Sequence, residues 1–197
     1  MSYDAIPDGE LVAVVTFLEM RERPTLAVPS SPLSLRRAED PQPDWYRGLF
    51  RKVGARWLWF SRLIMEDAKL APIISDAKVD LFAVIDESGD EVGMLELDFR
   101  EAGQCELSFV GLVPELSGQG HGRWLLTEAV TRAWREGVNR VHVHTCTLDH
   151  PAALPSYLKA GFRAYRRALE SFPDPRSAGL LPAGTAPQIP LLEDPRG

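Results

Sequence analysis

Residues 110 to 123, Val-Gly-Leu-Val-Pro-Glu-Leu-Ser-Gly-Gln-Gly-His-Gly-Arg, run from an apolar strand through a proline stop into Gly118, Gly120 and Gly122. An amphipathic stretch, Gly122 to Glu136, follows directly. It carries Leu126, Ala129, Val130 and Ala133 at i, i+3, i+4 and i+7, the stripe of a helix laid on a sheet, with Gly137 as its C-cap. A helix that starts on glycines is an anion site: backbone N–H groups can approach phosphate oxygens, and the helix dipole favours their charge. Arg123 opposes the dipole of an empty first turn but suits a pyrophosphate. Two nucleotide motifs fail on this loop. A dinucleotide fingerprint from Gly118 requires glycine at 123, and a Walker loop requires Gly-Lys-Ser/Thr.

Around this run the chain alternates in character. Residues 10 to 20 (ELVAVVTFLEM) predict a strand, followed by a loop punctuated by Pro24, Pro29 and Pro32. Leu33 to Arg37 alternates as a half-buried strand, and Asp44 is placed to cap a helix from about 45 to 53. Trp57, Leu58, Trp59, Phe60, Leu63, Ile64 and Met65 predict a second helical segment, apolar nearly all round. Its aromatics pack in a core or form a wall of an acceptor pocket or a subunit interface. From residue 80, DLFAVID, VGMLELDFRE and CELSFVGLV predict a three-stranded meander. Beyond the glycine helix come a strand at Arg140 to Thr147, a short helix at Pro151 to Lys159 and a last strand at Phe162 to Leu169. The tail from Ser171 holds six of the sixteen prolines and predicts irregular or disordered chain.

The 197 residues, 45% hydrophobic and 25% charged, suit one packed domain with some excess. With 22 basic against 28 acidic residues, the net charge of −6 argues against a dedicated nucleic-acid or anionic-membrane surface. It hints instead at a basic or polyamine-like small-molecule partner. Cys105 and Cys146 lie in predicted strands without metal-type spacing and read as buried reduced thiols. His142 and His144, at i and i+2 without a third ligand at defined spacing, do not make a metal site, so no metal is expected. The apolar run Leu11 to Leu18 is too short to span a bilayer, and acidic residues stand where a secretion signal would be basic; the expectation is a soluble, cytoplasmic protein.

Two stretches together carry a resemblance. Leu112-Val-Pro-Glu-Leu-Ser117-Gly-Gln-Gly120-His-Gly122 matches an Arg/Gln-x-x-Gly-x-Gly/Ala signature, with Ser117 in place of Arg or Gln. His150-Pro-Ala-Ala153-Leu-Pro-Ser-Tyr157-Leu-Lys-Ala-Gly161-Phe162 matches an Asn-x-x-Ala-x-x-x-Tyr-x-Lys-x-Gly-Phe stretch, with His150 in place of Asn. In this order the chain resembles the GNAT superfamily of acyl-coenzyme A N-acyltransferases over roughly residues 33 to 170. The resemblance implies an α/β (α+β) fold: a mixed, mostly antiparallel central sheet flanked by helices. A V-shaped splay separates the strand ending near Leu112 from the one starting near Arg140. It implies three regions: an N-terminal extension (1–32), an acetyltransferase domain (33–170) and a Pro-rich tail (171–197). The family's usual final strand has no clear counterpart after Leu169.

The resemblance further implies acetyl-CoA as co-substrate, bound by Leu112, Val113, Ser117, Gly118, Gln119, Gly120, His121, Gly122, Arg123 and His150. Strand amides would hold an oxyanion, and Tyr157 would protonate the departing thiolate. The expected activity is direct acetyl transfer to a primary amine of a small molecule or peptide. The alternative is an acyl-CoA-binding regulatory or structural domain without transfer chemistry. A nucleophilic amine needs a base, and Glu96, Asp98, Glu106, His142 and His144 are the candidates, although a half-buried strand ordinarily shows such polar residues to solvent. Glu106 ranks first, because its parity puts it on the face of Leu112, and His144 second. The acceptor and the assembly, a homodimer included, stay open at this level.

Overall fold

A computed structural model describes residues 4–192. Its seven-stranded sheet has the order β2-β3-β4-β5-β6-β1-β7. The strands are β1 (Glu10–Met20), β2 (Ser34–Arg37), β3 (Val79–Ile85), β4 (Glu91–Asp98), β5 (Gln104–Leu112), β6 (Arg140–Cys146) and β7 (Arg163–Pro173). Every neighbouring pair is antiparallel except β5 and β6. Helices α1 (Pro43–Gly54), α2 (Asp67–Ile74), α3 (His121–Ala133) and α4 (Ala153–Ala160) flank it.

The meander β3–β5 forms as its alternation predicts, but its middle strand is covered on both faces. Residues Val92 to Leu97 of β4 are all buried. Alternation of polar and apolar residues therefore does not separate inside from outside there.

β1, set by the sequence reading in an N-terminal extension, lies inside the sheet. It pairs with β6 from Val15↔Cys146 to Met20↔Val141 and with β7 from Glu10↔Pro173 to Glu19↔Arg163. Leu18 and Met20 bury themselves in the main core. The place beside β6 where a final strand seemed missing is thus filled from the other end of the chain, and β7 runs on to Pro173 rather than ending at Leu169.

Several local expectations are corrected. Gln42, not Asp44, is the N-cap of α1, because Pro43 occupies the first helical position with no N–H to lose. Residues 57 to 65 do not form a helix: a 3-10 turn (Ala55–Trp57) ends at Leu58, whose φ of 55° is left-handed. Around that reversal the rings of Trp57, Trp59 and Phe60 go to three different partners, described below. α3 stops at Ala133 because Trp134 turns to extended backbone and its indole N–H meets the Met20 sulfur at 3.3 Å; Gly137, at φ 84°, lies in the turn beyond. α4 starts at Ala153, with Pro151 in the preceding turn.

Beyond β7 the described tail, residues 174 to 192, packs against the domain in turns, without a further helix or strand. Asp174 and Arg176 are 3% and 5% exposed, and Leu181 and Ala186 pack on Leu58 in a second small core.

Candidate active site

β5 and β6 are in register over three pairs only, Gln104↔Arg140, Cys105↔Val141 and Glu106↔His142, and then part. Beyond Glu106 the β6-facing edge of β5 has no strand partner, so its backbone N–H and C=O groups are open to a ligand. A cavity of about 770 Å³ occupies this fork. It extends from the start of α3 to β7 and the loop after α1.

At one end lies the glycine loop. Gly118 and Gly120 hold φ values of 79° and 85°, which glycine alone adopts without strain, and Gly120 is the N-cap of α3. Among the described residues, the amides of Gly118, Gln119 and Gly120 donate to no protein acceptor. A Cβ added at Gly122 would meet nothing within 4 Å. Open amides, a helix N-terminus and the Arg123 guanidinium at the cavity wall fit a pyrophosphate.

Of the ten residues expected to hold coenzyme A, Leu112, Ser117, Gly118, Gly120, Gly122, Arg123 and His150 line the cavity. Val113, Gln119 and His121 do not. The Val113 side chain is in the core and its N–H is taken by the Val92 carbonyl at 2.9 Å. The Gln119 amide side chain donates to the Glu115 carbonyl at 2.9 Å, and His121 Nδ1 turns to Ser31 Oγ at 3.5 Å. His150 Nδ1 accepts the Ala152 N–H at 3.0 Å, and its ring meets Trp57 edge-on at 5.0 Å.

At the crotch of the fork, His144 Nδ1 lies 3.4 Å from Glu106 Oε1. The hydrogen bond from His144 holds the Glu106 carboxyl below its ordinary range, and Glu106 in turn raises the His144 imidazole above its own. Burial lowers His142, the other histidine on this face. The parity that ranked Glu106 first does not survive. The β4–β5 register shifts between Leu97↔Leu107 and Glu96↔Phe109, so Ser108 is a bulge. Glu106 therefore shares its face with Phe109 and Gly111, and Leu112 points to the other.

Glu96, read as a solvated candidate, is 0% exposed. Its Oε2 accepts the Tyr46 hydroxyl at 2.5 Å and its Oε1 accepts Arg62 Nη2 at 2.6 Å. Burial raises its pKa against the pull of Arg62. A carboxylate so occupied is a structural anchor for α1 and the loop that follows it. Asp98 is likewise engaged, by Arg100 at 2.6 Å.

Tyr157 lines the cavity from α4, its ring edge-on to Phe162 at 5.8 Å. Burial, and secondarily Asp149, pushes its phenol well above the ordinary value, so it stays protonated. Cys146 also lines the cavity rather than being sealed in the core, and burial pushes its thiol up to about 11. It is no thiolate nucleophile near neutrality.

Sequence reasoning missed Asp149 and the use of Trp59. Asp149 Oδ2 accepts the Thr145 hydroxyl at 2.7 Å and the Cys146 N–H at 2.9 Å, and its Oδ1 accepts Trp59 Nε1 at 3.1 Å. The Trp59 ring packs on Phe109 of β5 at 5.3 Å. It reaches the strand because Gly111 has no side chain: a Cβ there would lie 3.1 Å from the indole and 2.7 Å from Val53. Trp59 thus spans the fork, on β5 through its ring and on the end of β6 through Asp149. Among the described residues, no group of three or more His, Cys, Asp or Glu is placed to hold a metal ion, and no helix is long and apolar enough to cross a membrane.

The model of the acetyltransferase (GNAT) family matches residues 38–162, well over half of the chain. The chain belongs to that family. Among solved structures, a GCN5-related N-acetyltransferase from Sphaerobacter thermophilus aligns at a TM-score of 0.58 and 18% identity, over 82% of this chain and 51% of that one. One from Kribbella flavida aligns at 0.54 and 16%, over 87% and 63%. Spermidine N-acetyltransferase from Vibrio cholerae, solved with CoA and spermine, aligns at 0.55 and 22%, over 70% and 84%. These likenesses share the fold, and the chain spans about half the length of the Sphaerobacter protein. No curated protein sequence matches the chain.

Proposed function

We propose that the protein transfers an acetyl group from acetyl-CoA to a primary amine by direct attack. The observation that carries this reading is the fork itself. Its open glycine cradle lies at one end, Glu106–His144 at the crotch, and Tyr157 on the wall between. Acetyl-CoA supplies an activated thioester.

The chain's residues act on the other parts of the reaction. The amides of Gly118, Gln119 and Gly120, with Arg123, hold the pyrophosphate, and the free edge of β5 pairs with the extended arm of the cofactor. Glu106 engages His144 Nδ1, which leaves Nε2 as the acceptor of the amine's proton. The amine nitrogen bonds to the thioester carbon while amides at the end of β5 steady the oxyanion. As the carbon–sulfur bond breaks, Tyr157 gives its proton to the sulfur. Fixing both reactants in one fork supplies much of the rate through proximity.

The neighbour solved with spermine and the chain's acidic charge favour a small basic amine as acceptor over a peptide. The test is release of free thiol from acetyl-CoA in the presence of a panel of primary amines, with calorimetric binding of coenzyme A measured alongside. Binding without thiol release from any amine would leave a CoA-binding domain and end the transferase reading.

A further inference from the structure

The segment after β7 lies outside the family match, which ends at residue 162, yet it is built around one buried side chain. Arg176 Nε and Nη2 donate to the two oxygens of Asp174 at 3.0 and 2.7 Å. Its Nη1 donates to the carbonyls of Thr185, Ala186 and Ile189 at 3.2, 3.5 and 2.7 Å. One guanidinium thus ties the start of the tail to three carbonyls 9, 10 and 13 residues on and folds residues 174 to 189 into a closed loop. Asp174 N–H donates to the Gly9 carbonyl at 2.8 Å, which fastens the loop to the start of β1.

The loop presses Leu181 and Ala186 onto Leu58, which is 2% exposed, with Leu11, Ala55, Leu63 and Ile189 around them. Leu58 needs such support. A non-glycine residue in the left-handed region is strained and persists only where its surroundings enforce it. Its reversal is also what sets the acceptor side of the cavity. Trp57 turns to His150, Trp59 to Asp149, and Phe60 stacks on Phe172 at 4.7 Å; all four aromatics line the cavity, and Leu181 and Ala186 do not.

We infer that Arg176 is a positioning residue for the acceptor half of the site: it closes the tail behind Leu58 and so fixes Trp57, Trp59 and Phe60. The assignment to the acceptor half rests on the transferase reading above; the mechanical link does not. The aromatic wall at residues 57 to 60 lies inside the family match, but it is backed by residues from both ends of the chain, Leu11 and the loop after β7, that lie outside it.

Hydrogen exchange on the full chain tests this without an acceptor. In Arg176→Ala and, separately, Leu181→Ala, the amides of Leu58, Trp59 and Leu63 should exchange at least about tenfold faster, while those of α3 keep their wild-type rates. Affinity for coenzyme A, by calorimetry, should hold in both. With any amine that gives thiol release, KM for the amine should rise while KM for acetyl-CoA does not. Fast exchange confined to residues 177 to 189, with Leu58 to Leu63 still protected, would overturn the inference. Should Arg176→Ala fail to fold, Leu181→Ala decides alone, since it leaves the buried ion pair intact. Absence of thiol release from every amine would remove the transferase reading and leave the exchange result standing.

Discussion

His144 on β6 and Glu106 on β5 meet at 3.4 Å where the fork opens: Glu106 pairs with His142 in the last register pair of the two strands, and His144 stands two residues beyond it. The contact lies on the cavity face, with Phe109 and Gly111 further along β5. Its chemistry fixes a sign. His144 is raised above its ordinary pKa of about 6.5, so it becomes a competent base only as pH climbs past that raised value. Turnover should therefore rise with pH on a limb whose midpoint lies above about 6.5, and Glu106→Gln should move that midpoint down. A pH–rate profile unchanged by Glu106→Gln would take His144 out of the role of base.

The same pair gives stability a pH dependence. The raised His144 contributes fully below its unfolded pKa of about 6.5, and the contribution fades as pH rises through its folded value. The lowered Glu106 contributes above its unfolded value of about 4.3, and that is lost as pH falls through its folded one. The wild type should exceed Glu106→Gln in Tm most between about pH 4.3 and 6.5. Both side chains are partly exposed, so the difference should be modest and shrink in salt. Thermal melts across pH in low and high salt read it.

How much of this was legible in the sequence depends on what each residue does. The glycine loop and the Tyr157 helix were readable because φ values and helix starts demand particular residue types. The β-strand face of Glu106 was not, because one bulge at Ser108 inverts every parity beyond it and nothing in the local composition announces a bulge. Glu96 defeated the alternation rule for a different reason: β4 is central, so its polar residue is buried and must be satisfied by long-range partners, Tyr46 and Arg62, 50 and 34 residues away. The position of β1 between β6 and β7 is a non-local fact of the same kind.

Breaking the Glu96 cluster should cost stability more than activity directly. Glu96→Ala leaves Arg62 uncompensated at 9% exposure and the Tyr46 hydroxyl without an acceptor, a loss of about 3–5 kcal/mol. Tyr46→Phe removes one donor and leaves the ion pair, for about 1–3 kcal/mol. Urea unfolding should rank the two in that order. A Glu96→Ala variant as stable as wild type would show that the fold tolerates Arg62 unpaired.

Trp59 and Asp149 should be energetically coupled, because the indole N–H and the carboxylate serve each other across the fork. Trp59→Phe keeps most of the ring packing on Phe109 but drops the donor. Asp149→Asn puts an NH₂ where one of three N–H or O–H donors now points. A double-mutant cycle on unfolding free energy should return an interaction of about 0.5–3 kcal/mol. Strict additivity would mean that the bond contributes nothing to holding the fork.

Tyr157 and Gly122 divide the proposed reaction between chemistry and binding, and their variants should fail in opposite ways. Burial, and secondarily Asp149, keeps Tyr157 neutral, so in Tyr157→Phe only the donor is lost. Its kcat should fall by about 10²-fold or more, as for removal of a general acid, with coenzyme A affinity nearly unchanged. Gly122→Val projects a branched side chain into space that is open in the protein and that the pyrophosphate would occupy. Calorimetry should then show no coenzyme A binding, while the melting temperature stays near wild type because no protein atom lies within 4 Å of the new Cβ. Equal turnover in Tyr157→Phe would remove that residue from the mechanism. Unimpaired binding in Gly122→Val would move the pyrophosphate off the α3 N-terminus, and with it the orientation of the thioester toward His144.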